Sequence, residues 1–388
     1  MQLIGVAQEQ HPARTRLYLQ WRSFDFPVFV DSLNTLPHRV VPVPIGIDEH
    51  GIVREPRLKR SEINEFIETE YPDPGVSGSA TNDEARTFHE LRKQARSSNT
   101  VTDWRALGDA YFLRDGNQHL KKSISAYRRA LEQRPDSGPV HFRLGVALRR
   151  WHETGTPTIN AAQEAIRHWE RALSINPNQY IWRRRLQQYA PRLDKPYNFY
   201  FWIQKARDEI RDRGEEPVSL NVEPRGSEVA PPADPDQAVK PDDIPDPDPN
   251  GDIFRDEKPL VRINTISTPV RVQPGSDVRI RVHFRLHSSV EPYWNNEATP
   301  LTLSVDLPDG ITLNEGSFVH PNDREPETRG DRVLEFEVSV SEDLNKKQVT
   351  LPGYAVYNVC ENKNGVCRFL RQDLSASFQV DPDAPALK

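Results

Sequence analysis

Cysteine is nearly missing from this chain: its 388 residues hold two, Cys360 and Cys367. Two close cysteines suit a single disulfide in an oxidising compartment, and they are too few for a structural zinc site unless histidines join them. His11, His38, His50, His141, His152 and His168 show no ligand spacing, so no metal is expected. No Gly-rich phosphate loop follows a strand, which leaves hydrolase and metalloenzyme chemistry without support and implies no cofactor. Positive charge is not in excess either. Lys and Arg number 51 against 57 Asp and Glu, a formal net charge of −6. That balance lacks the global basic field of a nucleic-acid binder, so no nucleic-acid partner is expected. The run Arg183-Arg184-Arg185 points around a helix rather than along one face, and reads as solvated. No apolar run approaches the roughly 18 residues of a membrane helix. The segment from Met1 to Ala7 passes at once into Gln8-Glu9-Gln10, without the basic lead of a signal peptide.

Proline, by contrast, is abundant, with 34 residues, and clustered. Pro231-Pro232, Asp234-Pro235-Asp236 and Pro245-Asp246-Pro247-Asp248-Pro249 mark residues 213–259 as an extended, disordered tether between folded parts, because few apolar side chains there offset the ordering entropy. A Ser/Gly-rich linker at 73–82 makes a second boundary. Residues 1–72 alternate strand and helix: Leu3 to Ala7 as a buried parallel strand, a helix after His11-Pro12 with Leu17, Trp21 and Phe24 on one face, then apolar Val28 to Val30. Asp48-Glu49-His50-Gly51 reads as a hairpin turn, and Ser61 as the N-cap of a last helix. Residues 83–212 are helical. Residues 260–381 switch to period two, strictly so in Val278 to Leu286, Leu301 to Val305 and Val333 to Val340, with turns at Pro274-Gly275, Pro308-Asp309-Gly310 and Asn364-Gly365. Short half-buried strands with such punctuation predict an antiparallel sandwich of immunoglobulin-like size.

Trp104, Leu107, Gly108 and Tyr111, followed by Tyr127, Ala130 and Pro135, resemble one tetratricopeptide repeat; Leu144, Gly145, Leu148, Ala165, Trp169, Ala172 and Pro177 resemble a second. Ile181, Trp182, Leu186 and Tyr189 suggest a partial third, with Asn198 to Ile203 as an aromatic capping helix. The resemblance implies a protein-binding concave surface around Trp104, Tyr111, Tyr127 and Trp169, or else a rigid spacer.

Both ends resemble thiol–disulfide proteins. Leu3-Ile4-Gly5-Val6, the helix after His11-Pro12, and Val40-Val41-Pro42 leading into Ile45 to Gly51 are similar to the second half of a redoxin-type thioredoxin-like fold. That resemblance makes Pro42 a cis-proline candidate. The family's Cys-x-x-Cys would precede Leu3, so the segment has no thiolate for exchange. It is expected to be a degenerate part, or to be preceded by an in-frame extension carrying those cysteines. Pro292 to Asn296, Thr302 to Ile311 and Val349 to Cys360 with Gly365-Val366-Cys367 resemble the periplasmic N-terminal domain of the transmembrane thiol:disulfide interchange reductases, the DsbD family. By that resemblance Cys360 and Cys367 form a redox disulfide that exchanges with a thioredoxin-like partner, in an extracytoplasmic, periplasmic bacterial setting. From the residues alone, the turn Asn362-Lys363-Asn364-Gly365 brings the two cysteines together, and closing so short a loop contributes about 2.5 kcal/mol, so a structural bond stays open as the alternative. The expected architecture is multidomain: an α/β thioredoxin-like fragment, an α-helical tetratricopeptide repeat, and an all-β immunoglobulin-like sandwich. The expected function is a thiol–disulfide relay on a protein-binding scaffold, the alternative a non-catalytic scaffold with a structural disulfide.

Overall fold

The structure is a computed structural model that describes residues 2–36, 38, 41–73, 86–114, 116–155, 160–191, 200–224, 228, 243–257, 259–287, 291–361 and 365–385. Several expectations lie outside those residues: most of the linker at 73–82, the prolines from 231 to 235, Asn198 and Phe199, and the turn residues 362–364. Helices and sheets are mixed along the chain, which divides into two compact units. One holds Met1–Trp151, Arg171–Arg185 and Trp202–Glu223; the other holds His152–Glu170, Leu186–Phe201 and Pro224–Lys388.

In the first unit, β1 (Gly5–Ala7) runs parallel to β2 (Val28–Val30), with α1 (Pro12–Arg22) between them. Pro12 sits in the first turn of α1, where its missing N–H costs nothing. β3 (Gly46–Ile47) and β4 (Val53–Glu55) form the expected hairpin, followed by α2 (Ile63–Glu68). Its turn is held by Asp48 Oδ1, which accepts from the backbone N–H groups of His50 and Ile52, both at 2.9 Å. Ser61 is not the N-cap of α2: Arg60–Glu62 is a single 3₁₀ turn, and the cap position falls to Glu62. Nor is β1 buried. Val6 is 43% exposed and Ile4, just before the strand, 50%, and among the described residues β1 has β2 as its one neighbouring strand. Phe24 falls beyond the end of α1, where Ser23 turns left-handed.

The helices that follow are α3 (Phe88–Ser98), α4 (Val101–Leu113), α5 (Leu120–Gln133), α6 (Gly138–Glu153), α7 (Ala161–Ile175), α8 (Tyr180–Gln187) and α9 (Trp202–Asp212). Thr87 and Glu90 cap α3 reciprocally, and Thr100 caps α4 through Asp103 N–H. α5 and α7 end two residues before Pro135 and Pro177. Gly108 lets α5 approach α4, since a Cβ there would lie 2.5 Å from the Tyr127 ring. In the same unit, Arg185 is buried over the Phe142 ring, 5.8 Å from its centroid. The arginine run is therefore not wholly solvated: a residue on the inward side of α8 uses its long stem to cover an aromatic.

The second unit is built on two sheets. β5 (Val261–Thr268), β6 (Arg271–Val272), β7 (Asp277–Leu286), β8 (Tyr293–Asn295), β9 (Leu301–Val305), β10 (Ile311–Gly316), β11 (Val319–His320), β12 (Glu327–Thr328), β13 (Arg332–Val340), β14 (Gln348–Cys360) and β15 (Cys367–Val380) supply them. One sheet has the order β10-β13-β7-β5; the other runs β11-β9-β14-β15-β6, with β8 and β12 at the end of β14. Alternation works as period two requires. Val278, Ile280, Val282 and Phe284 of β7 share one core with Leu303 of β9 and Leu351, Ala355 and Tyr357 of β14.

The opposite face of β7 and β13 is not open to water. Arg279 pairs with Glu335 and Glu337, each at 3.1 Å, and Arg281 pairs with Glu335 at 2.5 Å. Helical-region residues of the same unit cover this ladder: Tyr189 lies under Arg281, and Gln163 exchanges two hydrogen bonds with the backbone of Ser267. Residues 243–257 also depart from the tether expectation. Asp248 accepts from Arg371 at 2.7 Å, Asp256 accepts from the Tyr357 hydroxyl at 2.8 Å, and Ile244 packs on the core. The acidic side chains that suggested solvation find cationic and hydroxyl partners on β14 and β15.

Candidate functional site

In the first unit, α3, α4 and α5 enclose a groove of about 730 Å³. Its floor is apolar: Leu107 and Tyr111, four residues apart on α4, and Ala126 of α5 belong to one buried cluster. Trp104 completes the α4 stripe. It is half-buried, and its indole N–H donates to Asn99 Oδ1 at 2.8 Å, which fixes the ring. The walls are cationic. Arg92 and Arg96 stand one turn apart on α3; Lys121, Lys122 and Arg129 stand on α5. Against these five cations the lining has, among the described residues, one carboxylate, Glu132, already paired with Arg129 at 2.8 Å. Arg92 donates through Nε and Nη2 to the Tyr111 hydroxyl, at 3.2 and 2.9 Å. Lys122 lies over the Tyr111 ring and Lys121 over that of Trp151.

Behind the floor, Tyr127 is wholly buried and donates to Asp109 Oδ1 at 2.8 Å; Asp109 pairs with Arg143 at 3.1 Å. Burial pushes the Tyr127 phenol well above its ordinary range and raises the Asp109 carboxyl against the pull of Arg143. Trp169 is also wholly buried, stacked 6.0 Å from Tyr189. Of the four aromatics expected around a binding surface, Trp104 and Tyr111 line the groove, whereas Tyr127 and Trp169 are packing residues. The cations went unread in the sequence. Their signal is the four-residue recurrence Arg92/Arg96 and Lys121/Ser125/Arg129, which the more conspicuous Arg183-Arg184-Arg185 run obscured.

In the second unit, Cys360 and Cys367 are disulfide-bonded directly across the β14–β15 ladder, with their Cα atoms 4.0 Å apart. The two ends of the bond differ. Cys360 is fully buried, and Cys367 is exposed, beside exposed Val366 and Phe369. Arg368 pairs with Glu361 at 3.1 Å across the same hairpin end. The Val41–Pro42 peptide bond is cis. Among the described residues no group of His, Cys, Asp and Glu is arranged to hold a metal, and no helix is long and apolar enough to cross a membrane.

A histidine pair and a buried glutamate add further ionisable groups to the second unit. His152 Nε2 lies 3.0 Å from His283 Nδ1, and His283 Nε2 lies 3.0 Å from Asp331 Oδ2. Burial, with His283 and Arg285 nearby, holds His152 down at about 3. Glu170 accepts from Val270 N–H at 2.6 Å, and burial raises its carboxyl to about 7.

The chain matches no protein-family model and no curated protein. Among solved structures it is similar to AvmM, which catalyses macrocyclisation in alchivemycin A biosynthesis, at 11% identity over 33% of this chain and 93% of that one, with a TM-score of 0.22. It is similar to the GAE domain of yeast GGA1 at 19% identity, over 30% of this chain and 90% of that one, with a TM-score of 0.18. It is similar to the seventh ScaB type I cohesin of Pseudobacteroides cellulosolvens at 14% identity, over 32% of this chain and 94% of that one, with a TM-score of 0.21. Likenesses this low carry no argument about fold or activity.

Proposed function

We propose that this chain is an extracytoplasmic thiol–disulfide exchange protein whose tetratricopeptide-like helices hold a polypeptide partner. In this reading the N-terminal segment is a thioredoxin-like part without cysteines, and the two-sheet body is an immunoglobulin-like sandwich resembling the N-terminal domain of the DsbD family. The observation that carries it is the asymmetry of one bond: Cys367 is exposed at the end of the β14–β15 hairpin while Cys360 is buried. A partner thiolate attacks Cys367 Sγ. The Cys360–Cys367 bond breaks, its electron pair leaves on Cys360, and a mixed disulfide joins the partner to Cys367. A second partner thiolate then attacks the partner's own sulfur in the mixed disulfide and displaces Cys367. The partner leaves oxidised, and the pair here has gained two electrons and two protons.

The second reading, a structural brace, is favoured by the complete burial of Cys360. A thiolate left there is disfavoured by its apolar surroundings. Equilibration in glutathione buffers, with quantification of the reduced fraction by alkylation, separates the two readings. A reduction potential above about −300 mV is the exchange result, and one below about −300 mV is the brace.

A further inference from the structure

We propose that the groove between α3, α4 and α5 binds an extended acidic peptide segment, with carboxylates on alternate residues and an apolar side chain laid against Trp104 and Leu107. This rests on the reading of the helical region as a polypeptide holder and adds the chemistry of what is held.

The groove's charge is opposite to that of the chain. The whole molecule is net negative at −6, yet among the described residues this concavity gathers Arg92, Arg96, Lys121, Lys122 and Arg129 against Glu132 alone. Elsewhere in the molecule cations of this density are neutralised, as Arg279 and Arg281 are by Glu335 and Glu337. Here, among the described residues, Arg92, Arg96, Lys121 and Lys122 have hydroxyl or ring contacts or none, and no carboxylate. Like charges crowded in one concavity repel, and an anionic ligand relieves that repulsion while keeping the cations' fixed positions in use.

Spacing sets the ligand's shape. Lys121 and Arg129 are eight residues apart on one helix, a rise of about 12 Å at ~1.5 Å per residue. Extended chain rises about 3.3 Å per residue and sends alternate side chains to one side, so carboxylates two apart recur every ~7 Å: one such step is close to the ~6 Å between Arg92 and Arg96, and two steps are close to the ~12 Å from Lys121 to Arg129. A volume of about 730 Å³ falls within the ~300–1,000 Å³ of formed ligand sites. The apolar floor gives a peptide something to bury between its carboxylates. A nucleic-acid strand would instead need successive stacking platforms, and the groove offers Trp104 as its one half-exposed ring.

The test is fluorescence anisotropy on the full chain, with a fluorescein-labelled hexapeptide alternating Glu and Leu as probe. Hexapeptides alternating Gln and Leu, or Lys and Leu, are the comparisons, and decauridylate the nucleic-acid arm. Saturable binding of the Glu peptide is expected, weakening about ten-fold or more between 0.05 and 0.5 M salt, where the screening length falls several-fold. The double variant Arg96→Glu with Lys122→Glu, both exposed positions, is expected to weaken it at least thirty-fold with the circular dichroism unchanged, and Arg324→Glu in the other unit to leave it as it was. Binding that survives the double variant, or tighter binding of decauridylate, overturns the proposal. If the Gln or Lys peptide binds and the Glu peptide does not, the acidic partner is wrong and the polypeptide holder stands. If no peptide binds, both fall.

Discussion

The groove of the helical region and the ladder on the four-stranded sheet use the same side chains to opposite ends. The side chains of Arg279 and Arg281 are only 12% and 16% exposed, each is matched to a carboxylate on the neighbouring strand, and Arg281 lies against Tyr189 of its own unit. Arg96 and Lys122 are exposed and, among the described residues, unmatched by carboxylates. Charge that must be buried is neutralised at the point of folding, because an unpaired buried ion costs several kcal/mol. Charge left over in a concavity is available for something that is not part of the fold. A count of Lys and Arg cannot tell the two apart; burial and pairing can.

Breaking the ladder is expected to have the largest effect on stability. Glu335→Ala removes the carboxylate shared by Arg279 and Arg281, and is expected to lower unfolding free energy by about 3 kcal/mol in denaturant titration. Glu337 remains to pair with Arg279, which keeps the loss from being larger. A loss under about 1 kcal/mol would mean that water reaches these arginines, and the contrast with the groove would dissolve.

From the helical side, Gly108→Ala is expected to cost about 1–3 kcal/mol, since its methyl would press on the Tyr127 ring, whose hydroxyl is anchored at Asp109. Thermal unfolding measures it. A neutral outcome would mean that α4 and α5 slide apart freely, and so would the walls of the groove.

Glu170 and His152 in the second unit give a pH dependence with two opposed parts. Glu170 is raised to about 7, so its contribution is full below the unfolded value near 4.5 and is lost as pH rises through 7. His152 is lowered to about 3, so its contribution is full above about 6.5 and is lost as pH falls. Between roughly 4.5 and 6.5 the two nearly cancel. Glu170→Gln keeps the acceptor for Val270 N–H and removes the first part. The variant is expected to lose stability more steeply than the parent on acidification from 6.5 to 4.5, in urea titrations at stepped pH. Identical slopes would show that Glu170 is hydrated. Arg96→Glu is expected to change stability least, by under about 0.5 kcal/mol, as befits an exposed side chain.

How much of this was legible beforehand follows from how local each signal is. Val278, Ile280, Val282 and Phe284 announce both a strand and its inward face, because alternation is written in nine consecutive residues. Gly108 and Tyr127 announce a close helix pair. The two cysteines, seven residues apart, announce their bond. What meets β5 and the other face of β7 was not legible: Gln163 meets Ser267 of β5 and His152 meets His283 of β7 across more than a hundred residues, with no periodic pattern to join them. Residues 243–257 misled for a related reason, since composition counts carboxylates and is blind to Arg371 and Tyr357, where two of them find partners. The groove was half legible. Its aromatic floor follows the repeat pattern, while its cations are split between α3 and α5 and gather only once α4 lies between those helices.

The most direct test of exchange is to catch the mixed disulfide on its expected sulfur. The oxidised full chain is incubated with reduced glutathione, quenched in acid, alkylated and digested for mass spectrometry. Exchange through the exposed end of the bond predicts glutathione on Cys367 and alkylated Cys360. An intact Cys360–Cys367 bond, with no adduct at concentrations that reduce ordinary exposed disulfides, would contradict it and leave the bond a brace.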